Sequence, residues 1–77
     1  MVNIIYSCIA REIDTNVKNI KPDSNLLTDF HIDSITMFQV VTSIEEEFEI
    51  EISIREMKAL VNVKDLVTLV ERKTRER

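Results

Sequence analysis

The 77-residue chain contains no glycine and a single proline, Pro22. Hairpins, sandwich corners and barrel bends depend on residues that take a positive or a preset φ at little cost, chiefly glycine and proline. A chain without them is poorly equipped for an all-β fold. It also holds no glycine-rich phosphate loop, of either the dinucleotide or the Walker type. The remaining option is a helical fold with few sharp turns. An apolar fraction of 44% and a charged fraction of 31% mark the sequence as globular rather than disordered. Its size allows one domain, 1–77, with a modest core and no room for separate cofactor and substrate domains.

The net charge of −4 is unevenly spread: +1 over residues 1–22, −8 over residues 23–57 and +3 over residues 58–77. A duplex-binding protein concentrates Lys and Arg on one face to displace counterions. Here the middle of the chain repels phosphate backbones and attracts basic proteins, so nucleic acid is not an expected partner. The basic residues Arg72, Lys73, Arg75 and Arg77 are interrupted by Glu71 and Glu76 and read as a solvated helix end. The lone cysteine, Cys8, rules out an internal disulfide and a multi-cysteine zinc site. It reads as a small apolar residue of the first helix. The first residues lack a basic n-region and the apolar run is short, so neither a secretory signal nor a membrane span is expected. The expected location is the cytoplasm.

Val2, Ile5, Tyr6, Ile9 and Ile13 recur at three- and four-residue steps, which predicts a helix to about Asp14. From Thr15 to Asp33 the periodicity fails, and Asn16, Asn19, Pro22, Asp23, Ser24 and Asn25 supply turn chemistry. Within this long connection Leu26, Leu27 and Phe30 are expected to pack onto the core. The asparagines are the expected occupants of any left-handed position. A second helix starts at Ser34, capped by Asp33, and its core stripe is Met37, Val41, Ile44 and Phe48, flanked by Phe38 and Val40. Its other face carries Ile35, Gln39, Thr42 and Glu46. Ser53 and Glu56 form a Ser-x-x-Glu capping box for a short helix through Leu60. Asn62 caps a fourth helix with the stripe Val63, Leu66, Val67 and Val70. The fold class is all-α: a four-helix bundle with a long first loop and a short third helix.

Few residues invite chemistry. His31, Asp33 and Ser34 supply the residue types of a hydrolase triad, but triad partners come from separated parts of a fold, not from three near neighbours. His31 reads as a solvated loop residue. Glu45, Glu46, Glu47, Glu49 and Glu51 lack the spacing and turn glycine of a calcium loop and read as a solvated charged face. No metal site and no catalytic residue are expected. Ser34 differs, because an anion on its hydroxyl falls at a helix N-terminus, where backbone N–H groups and the dipole favour negative charge.

The run Asp29-Phe30-His31-Ile32-Asp33-Ser34-Ile35 resembles the phosphopantetheine attachment motif of acyl carrier proteins, usually Asp-Leu-Gly-x-Asp-Ser-Leu. The likeness continues through Ile44-Glu45-Glu46-Glu47-Phe48, Glu51-Ile52 and Asn62-Val63-Lys64-Asp65-Leu66-Val67, and the helix order is also the family's. This resemblance implies that Ser34 is esterified by 4′-phosphopantetheine, transferred from coenzyme A by a magnesium-dependent phosphopantetheinyl transferase. Asp33 is then a positioning residue beside the cofactor, and the arm's thiol carries acyl groups as thioesters for fatty-acid or specialised acyl biosynthesis. The domain itself catalyses nothing. Ile35, Gln39, Thr42 and Glu46 become the docking face for loading and acyl-processing enzymes, and the protein is expected to be a monomer. The stripe around Met37, Val41 and Leu60 is then a place to shelter an acyl chain. His31 stands where the family has glycine, and Thr36 and Gln39 stand where it has acids. Gln39-Val40-Val41 is similar to peptidyl, aminoacyl and D-alanyl carriers, which keeps such a cargo as an alternative. A second alternative, of another class, is an unmodified helical interaction module.

Overall fold

The computed structural model describes residues 1–76. Among the described residues there are four α-helices: α1 (Val2–Ile13), α2 (Ser34–Phe48), α3 (Ile54–Lys58) and α4 (Val63–Glu76). No strand accompanies them, only an isolated antiparallel bridge between Asn25 and Asn62. The all-α bundle with its short third helix matches the order read from the sequence. The long connection holds one element that periodicity missed, a 3-10 turn over Val17–Asn19 that opens with the Asn16 side chain accepting from the Lys18 N–H.

The core draws on every long helix. Ile5, Cys8 and Ile9 of α1 meet Val40, Val41 and Ile44 of α2 and Val63, Leu66 and Val70 of α4, all buried. Cys8 serves there as the small apolar residue its position suggested. Three apolar residues expected inside are substantially exposed: Val2, Leu27 and Phe38. Val2 lies in the first turn, where α1 runs past the core, and Phe38 sits beyond the edge of the α2 stripe. The loop is anchored instead by Leu26, Ile20 and Ile32, all buried, with Phe30 partly buried. Polar ties close it onto the start of α4: Leu26 N–H donates to the Val61 carbonyl at 2.9 Å, and Val63 N–H to the Ser24 carbonyl at 3.0 Å.

Helix ends follow the sequence at their starts and depart from it at their stops. Asn62 Oδ1 accepts from the Asp65 N–H at 2.9 Å, and Asp65 Oδ2 accepts from the Val61 and Asn62 N–H groups in return. Ser53 and Glu56 complete both halves of the capping box. The positive-φ residues, however, are Asp14, His31 and Glu49, and no asparagine is among them. Asp14 and Glu49 end α1 and α2 in the left-handed cap that glycine would otherwise fill. The asparagines serve as side-chain acceptors: Asn16 takes the Lys18 N–H, and Asn25 takes those of Leu27 and Thr28. A carbonyl engaged with an N–H two or three residues ahead suits extended backbone, which is why these side chains punctuate starts rather than stops.

Candidate functional site

The junction between the long loop and α2 is built from local hydrogen bonds. Asp33 is in extended conformation, and its carboxylate accepts from the Thr36 N–H at 2.7 Å, satisfying one of the orphan donors of the first turn. That bond holds the Asp33 carboxyl below its ordinary value. Just before it His31 adopts φ 54°, the left-handed position where the resembling motif has glycine. One residue after the cap, Ser34 opens α2 as an exposed side chain.

The chain has five serines, Ser7, Ser24, Ser34, Ser43 and Ser53. Ser24 and Ser43 are buried, their hydroxyls taken by the Lys21 N–H and by the Arg11 guanidinium. Ser53 Oγ is used by the Glu56 N–H in the capping box. Ser7 lies within α1. Ser34 alone among them is exposed in the first turn of a long helix. It also lines a cleft of about 240 Å³ with Leu27, Met37, Met57, Lys58 and Leu60, four of the five being apolar. The cleft lies between α2 and the α3 region, and its floor includes Met37 and Leu60, two of the three residues from which the sequence suggested a chain shelter. Val41, the third, does not line it and is buried in the core.

The other face of α2 is divided. Gln39, Thr42 and Glu46 line a groove of about 380 Å³ with Phe38, Ser43, Arg11 and Glu12, so α1 contributes to it. Ile35 lies outside that groove and is 71% exposed. Phe38 is 56% exposed one turn further on, which makes an apolar pair beside Ser34 that reading Phe38 as core obscured. The first turn of α2 contains no acidic side chain.

The acidic run is not uniformly solvated. Glu45 is half-buried, and its Oε2 accepts from the Ile52 N–H at 2.7 Å, pinning the α2–α3 connection. Toward the end of the chain the basic residues do more than solvate a frayed helix end. Lys73 Nζ lies 2.8 Å from Glu56 Oε1 and Arg72 Nη2 lies 3.4 Å from Glu56 Oε2. The Lys73 ammonium and the Ser53 N–H hold the Glu56 carboxyl down from an ordinary 4.5 to about 2. Arg77 lies outside the described residues. Among the described residues no group of three or more His, Cys, Asp or Glu is placed to hold a metal ion. None of their helices is long and apolar enough to cross a membrane.

The sequence pattern of the phosphopantetheine attachment site family matches residues 3–70. The chain belongs to the acyl carrier protein family. It is 34% identical over 67 residues to an acyl carrier protein of Campylobacter hominis, covering 87% of this chain and 85% of that one. It is 28% identical over 67 residues to an acyl carrier protein of Helicobacter hepaticus, covering 87% and 88%. Among solved structures, a Mycobacterium tuberculosis chain assigned as an acyl carrier protein is similar at TM-score 0.87 and 32% identity, covering 92% of this chain and 95% of that one. The holo acyl carrier protein of Geobacter metallireducens shares the fold at TM-score 0.83 and 20% identity, covering 97% and 86%. Acyl carrier proteins are carriers rather than enzymes. They bear 4′-phosphopantetheine covalently on a serine, and a phosphopantetheinyl transferase and acyl-processing enzymes act on them.

Proposed function

We propose that residues 1–77 form one acyl carrier domain with the 4′-phosphopantetheine arm on Ser34 Oγ, carrying acyl intermediates of fatty-acid or specialised acyl biosynthesis. The observation that carries this reading is the double position of Ser34, exposed in the first turn of α2 and on the wall of an apolar cleft. When bound, the arm supplies a thiol that holds the acyl group as a thioester. The residues present fit such a group. Asp33 fixes the first turn and so the direction of the Ser34 side chain, while Leu27, Met37, Met57 and Leu60 offer an apolar wall to an acyl tail. That lining favours an acyl cargo over an aminoacyl, peptidyl or D-alanyl one.

Ile35, Gln39, Thr42 and Glu46 are the proposed docking face, with Ile35 as its apolar contact and Glu46 as its acidic one. An exposed apolar residue rimmed by polar groups suits brief encounters with successive enzymes. The protein is inferred to work as a cytoplasmic monomer. Intact mass after incubation with coenzyme A, magnesium and a phosphopantetheinyl transferase tests the reading. The wild type is expected to gain one phosphopantetheine and Ser34→Ala none. Gain on the variant would move the attachment to another serine. No gain on the wild type, with more than one active transferase, would favour the unmodified interaction module.

A further inference from the structure

We propose that Glu56, Lys73 and Arg72 form a latch that restricts the cleft beside Ser34 to short acyl groups, and that its release admits longer ones. The inference rests on attachment of the arm at Ser34. α3 is five residues long and contains no buried residue. Its flanks are fixed, by Ile52 and Leu60 in the core and by the Ile52 N–H bond to Glu45 at 2.7 Å. Between those anchors α3 is held by Met57, partly buried against the core, and by the Glu56 carboxylate, 2.8 Å from Lys73 Nζ and 3.4 Å from Arg72 Nη2 on α4.

Glu56 and its neighbours divide the work of α3 between two sides. Glu56 reaches α4, while Met57 and Lys58 line the cleft against Leu27, Ser34 and Met37. Holding α3 to α4 therefore sets the distance of Met57 from α2. The cleft, about 240 Å³, is smaller than ordinary small-molecule sites, which begin at roughly 300 Å³. A short chain fits this space; a longer one gains apolar contact only where α3 moves. Single exposed ion pairs are weak. Two cations on one carboxylate matter more here because Met57, the α3 side chain packed against the core, is only partly buried.

Glu56→Gln keeps an acceptor for the Ser53 N–H and removes the charge facing Lys73. Lys73→Met keeps the aliphatic stem, and Lys73→Arg keeps the cation. In the chain without its arm, hydrogen exchange of the residue 54–59 amides is expected to rise roughly three- to tenfold in Glu56→Gln and Lys73→Met. Lys73→Arg is expected to match the wild type. Unchanged exchange in the first two overturns the latch, whether or not an arm can be attached. On chains whose loading is established by mass, hexanoyl and dodecanoyl thioesters are then challenged with hydroxylamine. The ratio of dodecanoyl to hexanoyl protection should increase at least about twofold in Glu56→Gln and Lys73→Met, and stay at the wild-type value in Lys73→Arg. An equal ratio in all four proteins overturns the length restriction. Failure to gain the arm's mass overturns that restriction together with the Ser34 reading, while exchange still decides the latch.

Discussion

α3 and α4 begin alike and are held differently. Each opens with a side-chain cap answered by an acid three residues on, Ser53 with Glu56 and Asn62 with Asp65. Yet α4 buries Val63, Leu66, Leu69 and Val70, while α3 has no fully buried residue and packs on the core only through the partly buried Met57. A cap decides where a helix starts; burial decides how firmly it stays. The difference puts the weakly held helix on the wall of the cleft beside Ser34, where a carrier of changing cargo needs a part that can move. The strongly held one closes the core behind it.

Truncating each helix on its inner side gives the widest contrast. Leu66 is fully buried, so Leu66→Ala is expected to cost about 2–5 kcal/mol from lost transfer energy and the cavity left behind. In a domain of this size that lowers Tm by roughly 10–30 °C, enough to unfold a marginal bundle. Met57→Ala, at a partly buried position of α3, should lower Tm by less than a third of that amount while changing the exchange of α3. Thermal unfolding of the two variants checks the comparison. Equal losses would show that α3 belongs to the core.

Acid should separate the helices in the same order. The Glu56 carboxyl is held down to about 2, so the folded state binds its proton less readily than the unfolded chain. The stabilisation is then fully present above about pH 4.5 and is lost as the pH falls from there toward 2. Asp33 is shifted in the same direction by the Thr36 N–H, so the first turn of α2 also weakens in acid. Amide NMR across this range is expected to show α3 shifting before the centre of α4. Glu56→Gln should abolish that early change in α3 and leave the Asp33-linked change in place.

The contrast between burial and polar ties also explains how much of the molecule was legible in its sequence. The long helices announced themselves through stripes such as Met37, Val41 and Ile44, because burial imposes a 3.6-residue period. The caps Asp33, Ser53 and Asn62 were legible because each works within three residues of chain. Leu27 and Phe38 were misplaced because an apolar residue at the edge of a stripe is assigned by the packing of distant elements. The cleft escaped for a similar reason: Leu27 and Met57 are thirty positions apart and meet only in the fold. Glu56 was read as a cap alone, since its ties to Lys73 and Arg72 span 16 or more residues. Ser34 stood out by its place at a helix start and by the motif around it, not by any periodicity.

The smallest effect is expected at His31, which lies on the polar-tie side of the comparison, in the loop that delivers Ser34. Its φ of 54° places a residue with a Cβ in a left-handed conformation, a position histidine tolerates better than most residues. His31→Gly removes that crowding but also frees the unfolded chain, and the two effects oppose each other. The net change in Tm is expected to stay within about 3 °C, with phosphopantetheine still gained on Ser34. His31→Val is the sharper probe, because a β-branched side chain meets the left-handed conformation at full cost and has no local polar contact to offset it. Its Tm should fall by roughly 5–10 °C. A Val variant as stable as the Gly variant would mean that the loop leaves the left-handed conformation without penalty. The delivery of Ser34 would then depend on the Asp33 cap and on Ile32 in the core, and not on the turn at residue 31.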